Sequence, residues 1–187
     1  MSGERQFVFG YGSLAAAVGH TLTRERRADG FVVDLPGWVR GWGVAMDNRR
    51  DLPGYKYYTD ADGSRPAVFV TFLDIRVGEG ASNGLCLPVD RGVLEILDRR
   101  ERNYVRLDVS DRIDALEARV WVYVGRPEAR ERLATARRAD AAVIDVNYLR
   151  AVRAAFAALG GDELGRCLES LAPGDLPVVE LTRHELP

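Results

Sequence analysis

The sequence predicts an α+β domain, a single mixed and curled β-sheet or small barrel packed by helices. Three observations carry this expectation. Strand-like segments of irregular spacing fill the first two thirds of the chain, one helical segment stands among them at residues 90–102, and the last third, about residues 127–171, is helical in pattern. At 187 residues, 47% of them hydrophobic, the chain can bury one sizeable core, and a single domain across residues 1–187 is expected.

The first strand is expected at about Gln6 to Phe9, apolar and β-prone, running into Gly10-Tyr11-Gly12-Ser13. Ala15 to Leu22 reads as a short helix. Phe31 to Asp34 and Trp38 to Met46 read as strands with Pro36-Gly37 turning between them, and Asp47 to Gly54 as a charged loop. Ala67 to Val77 alternates like a long strand, and Gly84 to Val89 like a short one. Asp90 is placed to cap a helix through about Arg102. Tyr104 to Val109 and Arg119 to Val124 return to strand. Helices are then expected over Pro127 to Arg138, Asn147 to Leu159 and Asp162 to Leu171, and the tail after Pro173 is expected to be partly mobile.

A net charge of −2 argues against a general nucleic-acid or anionic-membrane surface. Lys56 is the only lysine among 26 basic residues, a bias that fits a GC-rich genome better than phosphate binding. No segment approaches about 18 uninterrupted apolar residues, and the N-terminus lacks a charged-then-apolar leader pattern. Cys86 and Cys167 make no disulfide framework, so a cytoplasmic location is expected. His20 and His184 lack metal spacing, which argues against a zinc site. The oligomeric state is not readable from these features.

Two local signals carry chemistry. A strand breaking into Gly10-Tyr11-Gly12-Ser13 brings main chain close to a ligand, and its N–H groups can cradle an anion or oxyanion. It lacks the third glycine of a dinucleotide fingerprint. The second signal is Glu101. At about 100° per residue, Leu94, Leu97 and Glu101 fall within about 60° of one another, with Glu101 about 20° from Leu94. A carboxylate on that apolar stripe faces the core or a cavity, where burial would raise its pKa from about 4.3 toward values useful for proton transfer.

Together, Gly10-Tyr11-Gly12-Ser13-Leu14, then Leu97-Asp98-Arg99-Arg100-Glu101, then Tyr104-x-Arg106 resemble the γ-glutamylcyclotransferase superfamily, including its ChaC-type and γ-glutamylamine-type enzymes. Val120 to Val124 and Asn147-Tyr148-Leu149 match more loosely, so the resemblance spans roughly residues 7–160. It implies the fold of that superfamily and a cyclising reaction. The substrate's own α-amine attacks its γ-carbonyl, giving 5-oxoproline and expelling an amine or amino acid, with no metal or organic cofactor. By the same resemblance Glu101 is the general base and acid, while Tyr11, Gly12, Ser13, Leu14 and Tyr104 bind substrate.

Weaker assignments follow. Tyr123 and Tyr148 are expected as wall residues, and Arg106 as the partner of a core or strand-end acid. Ser13 is not in a Gly-x-Ser-x-Gly motif, and His20 is the one nearby histidine, which disfavours a serine hydrolase. The chain departs from ChaC-type relatives at Ala15-Ala16-Ala17-Val18-Gly19-His20, where a tryptophan-containing segment is usual, leaving the leaving group open. A non-catalytic binding module on the same scaffold is the alternative. A purely structural domain would have no concave site joining residues 11–14 to Glu101.

Overall fold

The computed structural model describes residues 5–16, 26–113 and 117–186. Two long antiparallel strands dominate it: β2 (Phe31–Asp47) and β4 (Phe69–Val89), paired from Phe31↔Cys86 to Asp47↔Phe69. At about 3.3 Å per residue, such strands outrun a flat sheet in a chain this size. They curl through two register shifts, one between Pro36 and Trp38 and one between Trp42 and Val44.

This corrects two expectations. Pro36-Gly37 is a bulge inside one continuous strand, with Gly37 at φ +74°, and not a turn between two strands. The expected pair Ala67 to Val77 and Gly84 to Val89 is likewise one strand, in which Gly80 at φ +113° absorbs the irregularity. Turn residues mark where a chain can bend. Each long strand has the other as a continuous partner, so each bends without reversing.

β1 (Gln6–Gly10) pairs antiparallel with the end of β4 and parallel with β6 (Arg119–Gly125). β5 (Tyr104–Asp108) pairs with β6, β7 (Ala142–Asp145) with the start of β4, and β8 (Val178–Val179) with β7. Among the described residues this makes a seven-stranded sheet in the order β5-β6-β1-β4-β7-β8, with β2 on the other edge of β4. A separate two-stranded ribbon joins β3 (Lys56–Thr59) to β9 (Thr182–Glu185). The segment after Pro173 was expected to be partly mobile. It carries β8 and β9, and buries Leu176 and Leu181.

The helices are α1 (Ser13–Ala16), α2 (Arg91–Arg100), α3 (Pro127–Arg138), α4 (Val146–Ala157) and α5 (Glu163–Cys167). α1 opens two residues before the expected Ala15, and the expected continuation over residues 17–22 lies outside the described residues. Asp90 caps α2 as expected, accepting from the Val93 N–H at 2.9 Å. Asp145 caps α4 through the N–H groups of Asn147 and Tyr148. The expected helix from Asp162 to Leu171 divides into α5 and a 3₁₀ turn, Glu169–Leu171.

The core lies between the curled sheet and these helices. Phe9, Leu35, Leu73, Ile75, Leu87, Leu97, Ile144 and Phe156 are fully buried there. One feature of the sheet creates the site. On one edge of β4, β7 covers Phe69–Val70 and β1 covers residues 85–89; among the described residues no strand pairs with that edge between them. The end of β1, α2, α4 and the start of β5 converge on this gap.

Candidate active site

Backbone groups exposed on the open edge of β4 need other partners. At Leu73 two tyrosines supply them. The Tyr104 hydroxyl donates to the Leu73 carbonyl at 2.7 Å, and the Leu73 N–H donates to the Tyr148 hydroxyl at 3.4 Å. One residue on, the buried Asp74 carboxylate bridges the gap to β6. It accepts from the Gly125 N–H at 2.7 Å and pairs with Arg130 Nε at 2.7 Å. An added Cβ on Gly43 would lie 2.4 Å from Asp74 Cβ, and one on Gly125 would lie 2.7 Å from Asp74 Oδ2. Glycine at both positions makes room for that carboxylate.

The loop after β1 folds back over this gap. The glycines of Gly10-Tyr11-Gly12 work here through their small volume, since neither has a positive φ. A Cβ on Gly10 would lie 2.7 Å from the Ala15 nitrogen, and one on Gly12 would lie 3.1 Å from the Tyr148 hydroxyl. The Tyr11 ring is buried, and its hydroxyl donates to the Tyr123 carbonyl at 2.6 Å. Its own carbonyl accepts from Arg40 Nη1 at 3.1 Å. Arg40 is a buried guanidinium that also donates to Ser170 Oγ, Asn83 O and Asn83 Oδ1, with its plane over the Phe156 ring. Neither Arg40 nor Asp74 carries a local sequence signal; only the fold brings them to the loop.

Glu101 meets the loop from the other side. α2 ends at Arg100, one residue short of the position on which the helical-stripe reasoning relied. Glu101 is the C-cap (φ −81°, ψ 54°), yet its N–H still bonds the Leu97 carbonyl at 2.8 Å. That bond keeps the residue turned to the side of Leu94 and Leu97, and the side chain is half-buried. Tyr11, Gly12, Ser13, Leu14, Glu101 and Tyr104 all line one narrow cavity of about 20 Å³, together with Leu73, Tyr123 and Tyr148. The six residues singled out in the sequence therefore meet, and the concave site that a purely structural domain would lack is present.

Ser13, Glu101, Tyr104 and Tyr148 also line an adjoining cavity of about 60 Å³. Its far wall is formed by Tyr55, Lys56, Tyr58, Asn103, Arg183 and Glu185, which the sequence reading did not single out. Strand alternation explains the set. Lys56 lies opposite Glu185 and Tyr58 opposite Arg183, so all four share one face of the β3–β9 ribbon.

The electrostatics are those of a phenol-lined pocket. Burial drives the hydroxyls of Tyr11 and Tyr104 far above the ordinary tyrosine value, and raises those of Tyr148, Tyr123, Tyr55 and Tyr58. They are neutral donors at physiological pH. Tyr123 donates to Asp98 Oδ1 at 2.7 Å, and Arg106 Nη2 lies 3.2 Å from Asp98 Oδ2; this acid stands on α2 and is partly exposed, not the core or strand-end acid expected for that arginine. Burial and the nearby Arg183 charge lower the Lys56 amine to about 8, against the pull of Glu101 and Glu185.

The chain superposes on a protein described as a γ-glutamyl cyclotransferase with a TM-score of 0.53 and 14% identity, covering 98% of this chain and 94% of that one. This is the γ-glutamyl-cyclotransferase-like fold. The same fold aligns with YkqA from Bacillus subtilis at a TM-score of 0.54 and 14% identity, covering 94% of this chain. The chain spans about half (56%) of the length of YkqA. No family model and no curated protein sequence matches the chain. Among the described residues, no helix of this γ-glutamyl-cyclotransferase-like fold is long and apolar enough to cross a membrane.

Proposed function

We propose that the chain is a cytoplasmic γ-glutamyl cyclotransferase, converting a γ-glutamyl amide or peptide to 5-oxoproline and a free amine or amino acid. One observation carries the reading. Glu101 and the Tyr11–Leu14 loop line the same cavity, in a fold shared with a protein described by that activity.

Nucleophile and electrophile belong to one substrate, so the protein chiefly has to bend the γ-glutamyl chain into an attack geometry. The buried rings of Tyr11 and Tyr123 and the partly buried rings of Tyr104 and Tyr148 make a wall for that purpose. Glu101 takes a proton from the substrate's α-ammonium, and the amine nitrogen then bonds to the γ-carbon. The carbonyl electrons move onto oxygen and return as the C–N bond to the leaving group breaks. Glu101 gives its proton to the departing nitrogen. The ring nitrogen still carries a second hydrogen and a positive charge after the attack, and passes that proton through Glu101 to the released amine, which leaves as an ammonium. No water is consumed, and Glu101 ends as it began. Main-chain N–H groups of the loop hold either the α-carboxylate or the developing oxyanion.

The test is 5-oxoproline release from a panel of γ-glutamyl amino acids, peptides and amines. Glu101→Gln keeps shape and removes the proton shuttle, so turnover should fall by about 10²–10⁴. Equal turnover in the variant would refute Glu101 as base and acid. A panel member that binds without turnover would mark a binding module instead.

A further inference from the structure

We propose that the β3–β9 ribbon is a cationic subsite in which Lys56 and Arg183 select γ-glutamyl substrates whose leaving half carries a carboxylate. This rests on the cyclotransferase reading and narrows its substrate class. The geometry comes first. Lys56, Tyr58, Arg183 and Glu185 share the ribbon face that closes the wider cavity, while Ser13, Glu101, Tyr104 and Tyr148 belong to both cavities. A γ-glutamyl group reaching Glu101 from the narrow cavity therefore extends its leaving half toward this ribbon.

The two cations there are incompletely matched. Lys56 is the chain's only lysine, and its Nζ stands 4.0 Å from the centre of the Phe72 ring and 5.6 Å from that of Tyr55. Among the described residues it makes no hydrogen bond or ion pair, so aromatic faces are its contacts. Arg183 pairs with Glu185, yet its buried Nε has no hydrogen-bond partner among the described residues. Leaving a buried donor unsatisfied is costly, and an incoming acceptor would remove that cost. Lys56, Arg100 and Arg183 together outweigh Glu101 and Glu185 in the lining of this cavity. The low amine value of about 8, set by burial and Arg183 against the pull of Glu101 and Glu185, agrees with a cation drawn out of water. A carboxylate on the leaving group supplies an anion there, whereas a leaving amine with a second positive charge would meet like charge.

The experiment compares γ-glutamylalanine with its C-terminal amide, which matches it in size and lacks the charge. Wild type should favour the acid in kcat/KM by about tenfold or more, the worth of one charge-assisted hydrogen bond. In Lys56→Met the acid-to-amide ratio should fall by about tenfold, and in Lys56→Arg most of it should remain. The ratio is internal to each preparation, so a smaller folded fraction does not alter it; if Lys56→Met does not fold, Arg183→Met is read the same way. Equal use of both compounds by wild type overturns the inference and leaves the cyclotransferase reading standing, as does an unchanged ratio in the variant. Release from neither compound, nor from any of the wider panel, overturns both.

Discussion

Gly10 and Gly12 stand two residues apart in the same loop, and adding one methyl group at each should have opposite consequences. Neither glycine has a positive φ, so alanine fits both backbones and should gain about 0.4–1 kcal/mol from a less flexible unfolded chain. What differs is the neighbour. At Gly10 the new carbon would sit 2.7 Å from the Ala15 nitrogen and 3.1 Å from Ala15 Cα, main-chain atoms of a helix whose Leu14 and Ala15 are buried in the core. Overpacking of that kind costs about 1–3 kcal/mol, so Gly10→Ala should destabilise by about 1–2 kcal/mol net. At Gly12 the nearest atom, at 3.1 Å, is the Tyr148 hydroxyl at the end of a side chain, and Leu73 Cδ1 is at 3.5 Å. Small movements relieve that contact, and stability should stay within about 0.5 kcal/mol of wild type.

The methyl at Gly12, however, enters the gap between the loop and the Tyr148–Leu73 wall of a cavity of only about 20 Å³. Displacing substrate there by about 1 Å should cost about 100-fold in kcat/KM. Urea unfolding and 5-oxoproline release on the same two variants separate the effects. If Gly12→Ala unfolds as readily as Gly10→Ala while its folded fraction turns over normally, the assignment of the two glycines to packing and to the site is wrong.

Three further outcomes are expected. Arg40→Leu should destabilise by about 2–4 kcal/mol, because the carbonyls of Tyr11 and Asn83 lose a charged donor inside the fold; a urea midpoint near wild type would show that water replaces it. Asp145→Ala should cost about 1–2 kcal/mol and loosen β9, since Asp145 caps α4 and also accepts from the Leu181 N–H; amide exchange in residues 181–185 should rise, and an unchanged pattern would refute the link. Lys56 holds its proton less tightly folded, at about 8, than unfolded, near its ordinary 10.5. The unfolded chain therefore binds more protons between those values, and the cost of burying this cation is present below about pH 8 and relieved as pH rises toward 10.5. Lys56→Met should melt higher than wild type near neutrality, with the gap narrowing above about pH 8. A gap independent of pH would mean that Lys56, facing Glu101, Glu185, Arg100, Arg183 and Tyr55, does not titrate there.

Much of the site was legible because its signals are local. A strand running into Gly-Tyr-Gly-Ser is contained in eight consecutive residues, and Glu101 sits one short helix beyond its capping aspartate. Glu101 lines the cavity although α2 stops at Arg100, because the C-cap N–H still completes the bond to Leu97. The ribbon was not legible. Tyr-Lys-Tyr-Tyr-Thr is too short to read as a strand, and its partner, Thr-Arg-His-Glu, lies near the far end of the chain in a segment without hydrophobic periodicity. Its stability comes from the pairing itself and from Tyr55, Tyr58 and Leu181 packed beneath it.

By itself, the sequence determined the α+β class, the helical last third, the loop over residues 11–14 and the glutamate that faces it, each written in residues close together along the chain. Only the tertiary structure decided that β2 and β4 run unbroken, that the gap between β1 and β7 leaves Leu73 to be bonded by two tyrosines, and that Lys56 and Arg183 close the site. The physical reason is common to all three. Backbone and charged groups accept whichever partners the fold brings within hydrogen-bonding distance, and for these residues the partners are remote in sequence.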